Sequence, residues 1–148
     1  MKDPYLYPGT DILRNKAGIR SKKEAEMLEG DLTAMRLAEL VSGYTIKKYD
    51  FHGLCRLHYH IFQDVYDWAG KPRVVNIEKS EPILGGLSVE YSDCFDIETD
   101  ARHVLQDMER FQWRKATFHE TVKKYSYFMA SLWKVHPFRE GNTRTTVL

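Results

Sequence analysis

His136-Pro137-Phe138-Arg139-Glu140-Gly141-Asn142-Thr143-Arg144-Thr145, close to the end of a 148-residue chain, is the stretch on which the rest is read. It sets an imidazole, a carboxylate, a Gly-Asn corner and a guanidinium within nine consecutive positions, 136–144. Those are the groups needed to hold a magnesium-bound polyphosphate beside a proton acceptor. Tyr125 to Val135, before it, is an aromatic and apolar helical run, and Thr143 to Leu148 opens a new helix. A Gly-Asn corner at a helix start aims backbone N–H groups into the bend, which favours an anion there. The same pattern also suits a plain interhelical turn, because proline stops a helix and Gly-Asn is ordinary turn punctuation. Pattern alone leaves both open.

Composition indicates one folded domain. The chain is 43% hydrophobic and 29% charged, enough for one core and too short for two. A net charge of +1 argues against a nucleic-acid binder that works by bulk electrostatics. No apolar run reaches the length of a membrane span, and Met1-Lys2-Asp3-Pro4 lacks the apolar segment of a secretion signal, so a cytoplasmic protein is expected. Cys55 and Cys94, far apart and without Cys-x-x-Cys spacing, read as reduced thiols.

Outward from the quoted turn, the chain reads as helical. Residues 1–20 form a proline- and tyrosine-rich arm laid on the surface. Ser21 with Glu24 announces a helix carrying Ala25, Leu28, Leu32, Met35, Leu37 and Leu40. Asp50 caps a deeply buried second helix with Phe51, Leu54, Leu57, His58, Ile61, Phe62, Val65 and Trp68 in register, ended by Gly70 and Pro72. His52, His58 and His60 are not spaced as ligands on one helical face, so packed or hydrogen-bonded roles are expected rather than a zinc site. Arg73 to Ile77 reads as a strand, with Ile83 to Leu87 as its return, giving a hairpin within residues 72–90; a surface loop is the alternative, since Gly85-Gly86 weakens a strand. Asp93 to Phe111 is helical, and Thr117 or His119 leads into a last long helix. There Val122, Tyr125, Phe128, Met129, Leu132 and Trp133 are spaced for burial.

The turn at 136–145 matches the His-Pro-Phe-x-Asp/Glu-Gly-Asn-x-Arg signature of the Fic family (filamentation induced by cAMP). Asp3-Pro4-Tyr5-Leu6-Tyr7-Pro8-Gly9-Thr10 and Ile61 to Gly70 resemble the same family, in the family's order. The resemblance implies a single all-α Fic-fold domain over residues 1–148, with a small β-hairpin flap and with the family's C-terminal helices apparently missing after Leu148. It implies a protein adenylyltransferase that moves AMP from magnesium ATP to a hydroxyl side chain (Ser, Thr or Tyr) of a target protein. In that reading His136 is the base that takes the hydroxyl's proton, and Glu140 is the magnesium ligand. Gly141, Asn142, Thr143 and Arg144 meet the phosphates, and the flap, through Asn76, Ile77, Ile83 and Leu84, docks the target. A toxin-type member would admit a small antitoxin partner, and some relatives are exported into host cells by a secretion machine. No nucleic acid or membrane partner is implied. Transfer of another phosphate-containing group, and a truncated non-catalytic peptide-binding module, are the alternative functions.

Four departures from the family pattern stand out. Thr143 replaces the third small residue of Gly-Asn-Gly-Arg-x-x-Arg, and Val147 stands where a second arginine contacts the γ-phosphate or an inhibitory glutamate in relatives. Glu29-Gly30 is similar to the end of an inhibitory Ser/Thr-x-x-x-Glu-Gly/Asn motif, but Ala25 occupies its hydroxyl position, so Glu29 is expected to be an ordinary residue of the first helix. Leu148 falls about one turn into a helix that relatives continue, which leaves a fragment, a partner-completed fold or an inactive relative as alternatives.

Overall fold

The computed structural model describes residues 3–43, 48–78, 85 and 89–147. Five α-helices follow in order: α1 (Lys22–Val41), α2 (Phe51–Phe62), α3 (Ile97–Arg110), α4 (Phe118–Val135) and α5 (Asn142–Thr146), with a 3₁₀ turn at Trp113–Lys115. Their starts are written locally. Ser21 accepts the Glu24 amide and Asp50 accepts the Gly53 amide at 2.7 Å, while Thr117 and Glu120 cap each other's amides in a full capping box. Each such cap is worth about 1 kcal/mol.

α2 is the axis of the domain, with eight of its 12 residues buried. One face packs Phe51 and Leu54 with Ile97, Ala101 and Leu105 of α3, Leu132 and Val135 of α4, and Phe138. The other face carries Leu57, Ile61 and Phe62 against Leu32, Leu37 and Leu40 of α1 and against Val65, Tyr66 and Ala69. Burying each such side chain stabilises the fold by about 1.5–3 kcal/mol, so this sandwiched helix fixes where both of its ends point.

α2 is shorter than its pattern suggests. It stops at Phe62, and Val65 and Trp68 reach the core through successive turns instead. Those turns let Trp68 stack on Tyr66 at 4.2 Å and bring Gly70 (φ +76°) back onto α2, where a Cβ would sit 2.8 Å from the Tyr59 Cβ. Of the N-terminal arm, residues 3–20 are described, and they run along the body. Asp3 pairs with Arg139 at 2.7 Å, Tyr5 is buried edge-on against Trp68, and Leu6 bridges Leu13.

Two expectations fail. Residues 73–77 form no strand: the backbone bends at Val74 and Val75, and the Arg73 amide donates to Pro137 O at 2.8 Å rather than to a ladder. Ile83 and Leu84 lie outside the described residues. Val122 and Tyr125 of α4 are 47% and 48% exposed, because the face of α4 that enters the core is the one carrying Leu132 and Val135, which pack with α2 and α3, and Phe128, which packs with Phe111 and Trp113.

Candidate active site

The signature turn begins as the C-cap of α4. His136 takes left-handed backbone angles (φ 50°, ψ 60°), the only non-glycine residue with positive φ among those described. For an L-residue that conformation costs about 1–2 kcal/mol, so the surroundings must hold it. Pro137 and Phe138 then enter the core fully buried, and Phe138 stacks on His58 with ring centroids 3.8 Å apart.

Asn142 closes the turn. Its Oδ1 accepts the Phe138 amide at 2.8 Å and its Nδ2 donates to Phe138 O at 2.7 Å, so the side chain is a staple across the bend. Any phosphate contact from Asn142 must therefore come from its backbone. Gly141 (φ +80°) is required twice over, since a Cβ there would lie 2.2 Å from the Phe62 ring as well as forcing a left-handed side-chain-bearing residue. Thr145 and Thr146 return their hydroxyls to Gly141 O and Asn142 O, tying the first turn of α5 to the corner. Thr143 is exposed and accepts the indole N–H of Trp133 at 3.1 Å.

Beneath the turn, His58 of α2 reaches Glu140 O with Nε2 at 3.0 Å while its Nδ1 accepts the Gly70 amide at 2.8 Å. The second bond fixes the tautomer: Nε2 carries the proton and donates. Burial pushes the imidazole down to about 4, so it stays neutral. His58 thus has the hydrogen-bonded structural role expected for it, and His60, beside Arg36 O and Glu39, has another.

The Glu140 carboxylate accepts the Gly141 amide at 2.9 Å and borders a cleft of about 280 Å³ between α1 and the turn. Glu29 and Tyr66 line the same cleft. No group of three or more His, Cys, Asp or Glu side chains is gathered for a metal among the described residues. One hard carboxylate at a cleft suits magnesium that arrives with phosphates and keeps its waters, rather than an all-protein cage.

Arg144 is already engaged. Its guanidinium pairs with Glu29 of α1, donates to Thr33 Oγ1 at 3.2 Å and lies 4.7 Å from the Phe62 ring centroid. Tyr66 donates its hydroxyl to the same glutamate, and burial together with the Glu29 charge pushes the phenol well above its ordinary range. Glu29, read from the sequence as an ordinary helix residue, is therefore the acidic partner of the signature arginine. The Glu-Gly resemblance was the one signal that pointed to it.

The imidazole of His136 does not stand open at the rim. The residue is 2% exposed, with the Tyr91 ring stacked over it at 4.0 Å and the Trp133 ring edge-on at 5.5 Å. Nδ1 lies 3.3 Å from Trp133 O, which favours a proton on that nitrogen and leaves Nε2 as the basic one. Arg73, 1% exposed, donates Nε to His136 O at 2.8 Å. Neither Tyr91 nor Arg73 was marked by the sequence, where Arg73 looked like the first residue of a strand. Asn76 ties the limb at 73–78 to the limb at 89–94, donating to Asp93 Oδ2 and accepting the Cys94 amide, both at 2.8 Å. Ile77 follows it in the limb, exposed to intermediate degree.

The chain is 33% identical over 144 residues to the protein adenylyltransferase VbhT of Bartonella schoenbuchensis, covering 97% of this chain and 29% of that protein. It is 33% identical over 150 residues to the probable protein adenylyltransferase y4lH of Sinorhizobium fredii, covering 100% of this chain and 73% of that one. The fold superimposes with a TM-score of 0.78 on the BepC effector of Bartonella tribocorum, solved with bound AMPPNP, at 19% identity over 96% of this chain and 72% of the other. The family model described as Fic/DOC runs through residues 48–148, from the approach to α2 across the turn and into α5, and the chain belongs to that family.

Proposed function

We propose that the intact protein transfers AMP from ATP to a hydroxyl side chain of a target protein. The observation that carries this reading is the turn at 136–144, fastened by Asn142 and His58, closed by Gly141 and carrying a histidine, a carboxylate and a guanidinium. Relatives at 33% identity that are named adenylyltransferases support it. In the reaction the acceptor oxygen bonds to the α-phosphorus, the bond to pyrophosphate breaks, and Nε2 of His136 takes the hydroxyl proton. Arg144 and the backbone of Gly141, Asn142 and Thr143 offer donors to the charge that develops on the phosphates. Glu140 would hold magnesium, which supplies charge neutralisation between the phosphates.

Two groups must move for this chemistry. The Tyr91 ring has to leave the imidazole before an alcohol reaches it, and Arg144 has to exchange Glu29 for a phosphate. The segment at 72–90, with Asn76, Ile77, Ile83 and Leu84, which leads to Tyr91, is the part that would dock the target segment. We read residues 1–148 as one domain, the arm and α1 closing over the turn. Action inside a cell, native or host, and a small partner that controls the site both fit this reading.

The covered His136 favours a second reading, a peptide-binding module without catalysis. Incubating the full-length protein with α-phosphate-labelled ATP and a cell lysate tests the two. Label on protein, lost in His136→Ala, is expected; an adenylyl mass on the modified peptide separates AMP transfer from phosphoryl transfer. Peptide binding without nucleotide binding in calorimetry would replace the enzyme with the module.

A further inference from the structure

We propose that Arg73 is the positioning residue for His136, fixing the base relative to the segment that presents the acceptor hydroxyl. The inference rests on the reading of His136 as the base.

Its geometry is that of a three-way clamp. Nε donates to His136 O at 2.8 Å, and the Arg73 amide takes the next carbonyl of the turn, Pro137 O, also at 2.8 Å. Nη1 donates to Val75 O at 2.9 Å, with Asn76 Oδ1 at 3.4 Å, and Nη2 donates to Ser92 O. One guanidinium therefore joins the signature turn to the limb at 73–78 and to the limb at 89–94. Among the described residues no carboxylate lies within ion-pair distance of it, so a buried cation is satisfied almost wholly by main-chain carbonyls. A surface ion pair would do none of this, and neither would an apolar side chain.

The residue type follows from the task. A left-handed residue at the end of α4 turns its carbonyl away from the helix and into the interior, where it needs a donor. The planar fork of arginine meets carbonyls from three separate nitrogens at once, whereas the three donors of a lysine ammonium radiate from one nitrogen on a flexible stem. Ser92 follows Tyr91, whose ring covers the imidazole, so the same limb touches His136 on its ring and, through Arg73, on its carbonyl. Displacement of that limb by a docking peptide is thereby coupled to the backbone that carries the base. A misplacement of about 1 Å between reacting groups costs on the order of a hundredfold in rate.

The test uses the full-length protein, α-phosphate-labelled ATP as donor and lysate proteins as acceptors, with Arg73→Lys and Arg73→Met compared at a temperature where circular dichroism shows each folded. The maximal labelling rate should fall about ten- to a hundredfold in Arg73→Met and less in Arg73→Lys, while KM for ATP stays within about twofold. A folded Arg73→Met that labels at the unaltered rate overturns the proposal. So does a loss that appears in the KM for ATP, or one that follows only the fraction unfolded. His136→Ala, run alongside, separates the two ideas: if it still labels, the base assignment fails, whereas an inactive His136→Ala beside a fully active Arg73→Met removes Arg73 alone.

Discussion

His58 holds Glu140 by its carbonyl, Nε2–H to O at 3.0 Å, across 82 residues of sequence. The buried imidazole is both the shelf under the signature turn and a latent proton site. Its pKa falls from 6.5 to about 4 because burial penalises the cation, which would also set a second N–H against the Gly70 amide. Between those values the unfolded chain takes up a proton that the folded one refuses. Stability from this residue is therefore whole above pH 6.5 and is lost progressively as pH falls toward 4, by roughly 3 kcal/mol in all. Urea unfolding at pH 7.5 and 4.5 should show most of that loss, and His58→Gln should have a shallower dependence. Parallel pH profiles for the two proteins would contradict the assignment.

Gly141→Ala should destabilise the domain by about 2–4 kcal/mol, combining the left-handed backbone cost with a Cβ driven into the Phe62 ring. Chemical denaturation measures the loss. Pairing it with Phe62→Leu should recover part of it, since the two positions are in contact and their effects cannot be additive; strict additivity would place the clash elsewhere.

Asn142→Ala strips both bonds from the buried backbone of Phe138. Leaving a buried amide and carbonyl without partners costs about 1–3 kcal/mol each, so a midpoint shift worth about 2–5 kcal/mol is expected, with Asn142→Asp in between because it keeps the acceptor and loses the donor. If Asp is worse than Ala, the staple is not what holds the turn.

Glu29 holds the guanidinium of Arg144, for which the phosphates would compete in the proposed reaction. Both partners keep some exposure, which limits the pair to about 1 kcal/mol. Glu29→Gln should therefore tighten nucleotide binding by about threefold to tenfold in calorimetry of the full-length protein, and Arg144→Ala in the same background should remove the gain. Unchanged affinity on removing the charge would mean that Arg144 does not turn toward the nucleotide.

What the sequence determined by itself was whatever rests on residues near one another along the chain. The caps at Ser21, Asp50 and Thr117 and the helical spacing of Phe51, Leu54, Leu57 and Ile61 are satisfied within a turn or two, so they were legible. The order His-Pro-Phe-x-Glu-Gly-Asn likewise marks the turn. Tertiary structure decided the rest: Glu29 on Arg144, Arg73 on His136, His58 on Glu140 and the Tyr91 ring over the imidazole join segments that only packing against α2 brings together. It also ended α2 at Phe62 and bent residues 73–77 away from a strand, because Trp68 stacking and the Arg73 clamp outweigh local preference there. A side chain's partner across 60 or 100 residues is set by how whole helices stack, and no local pattern encodes that.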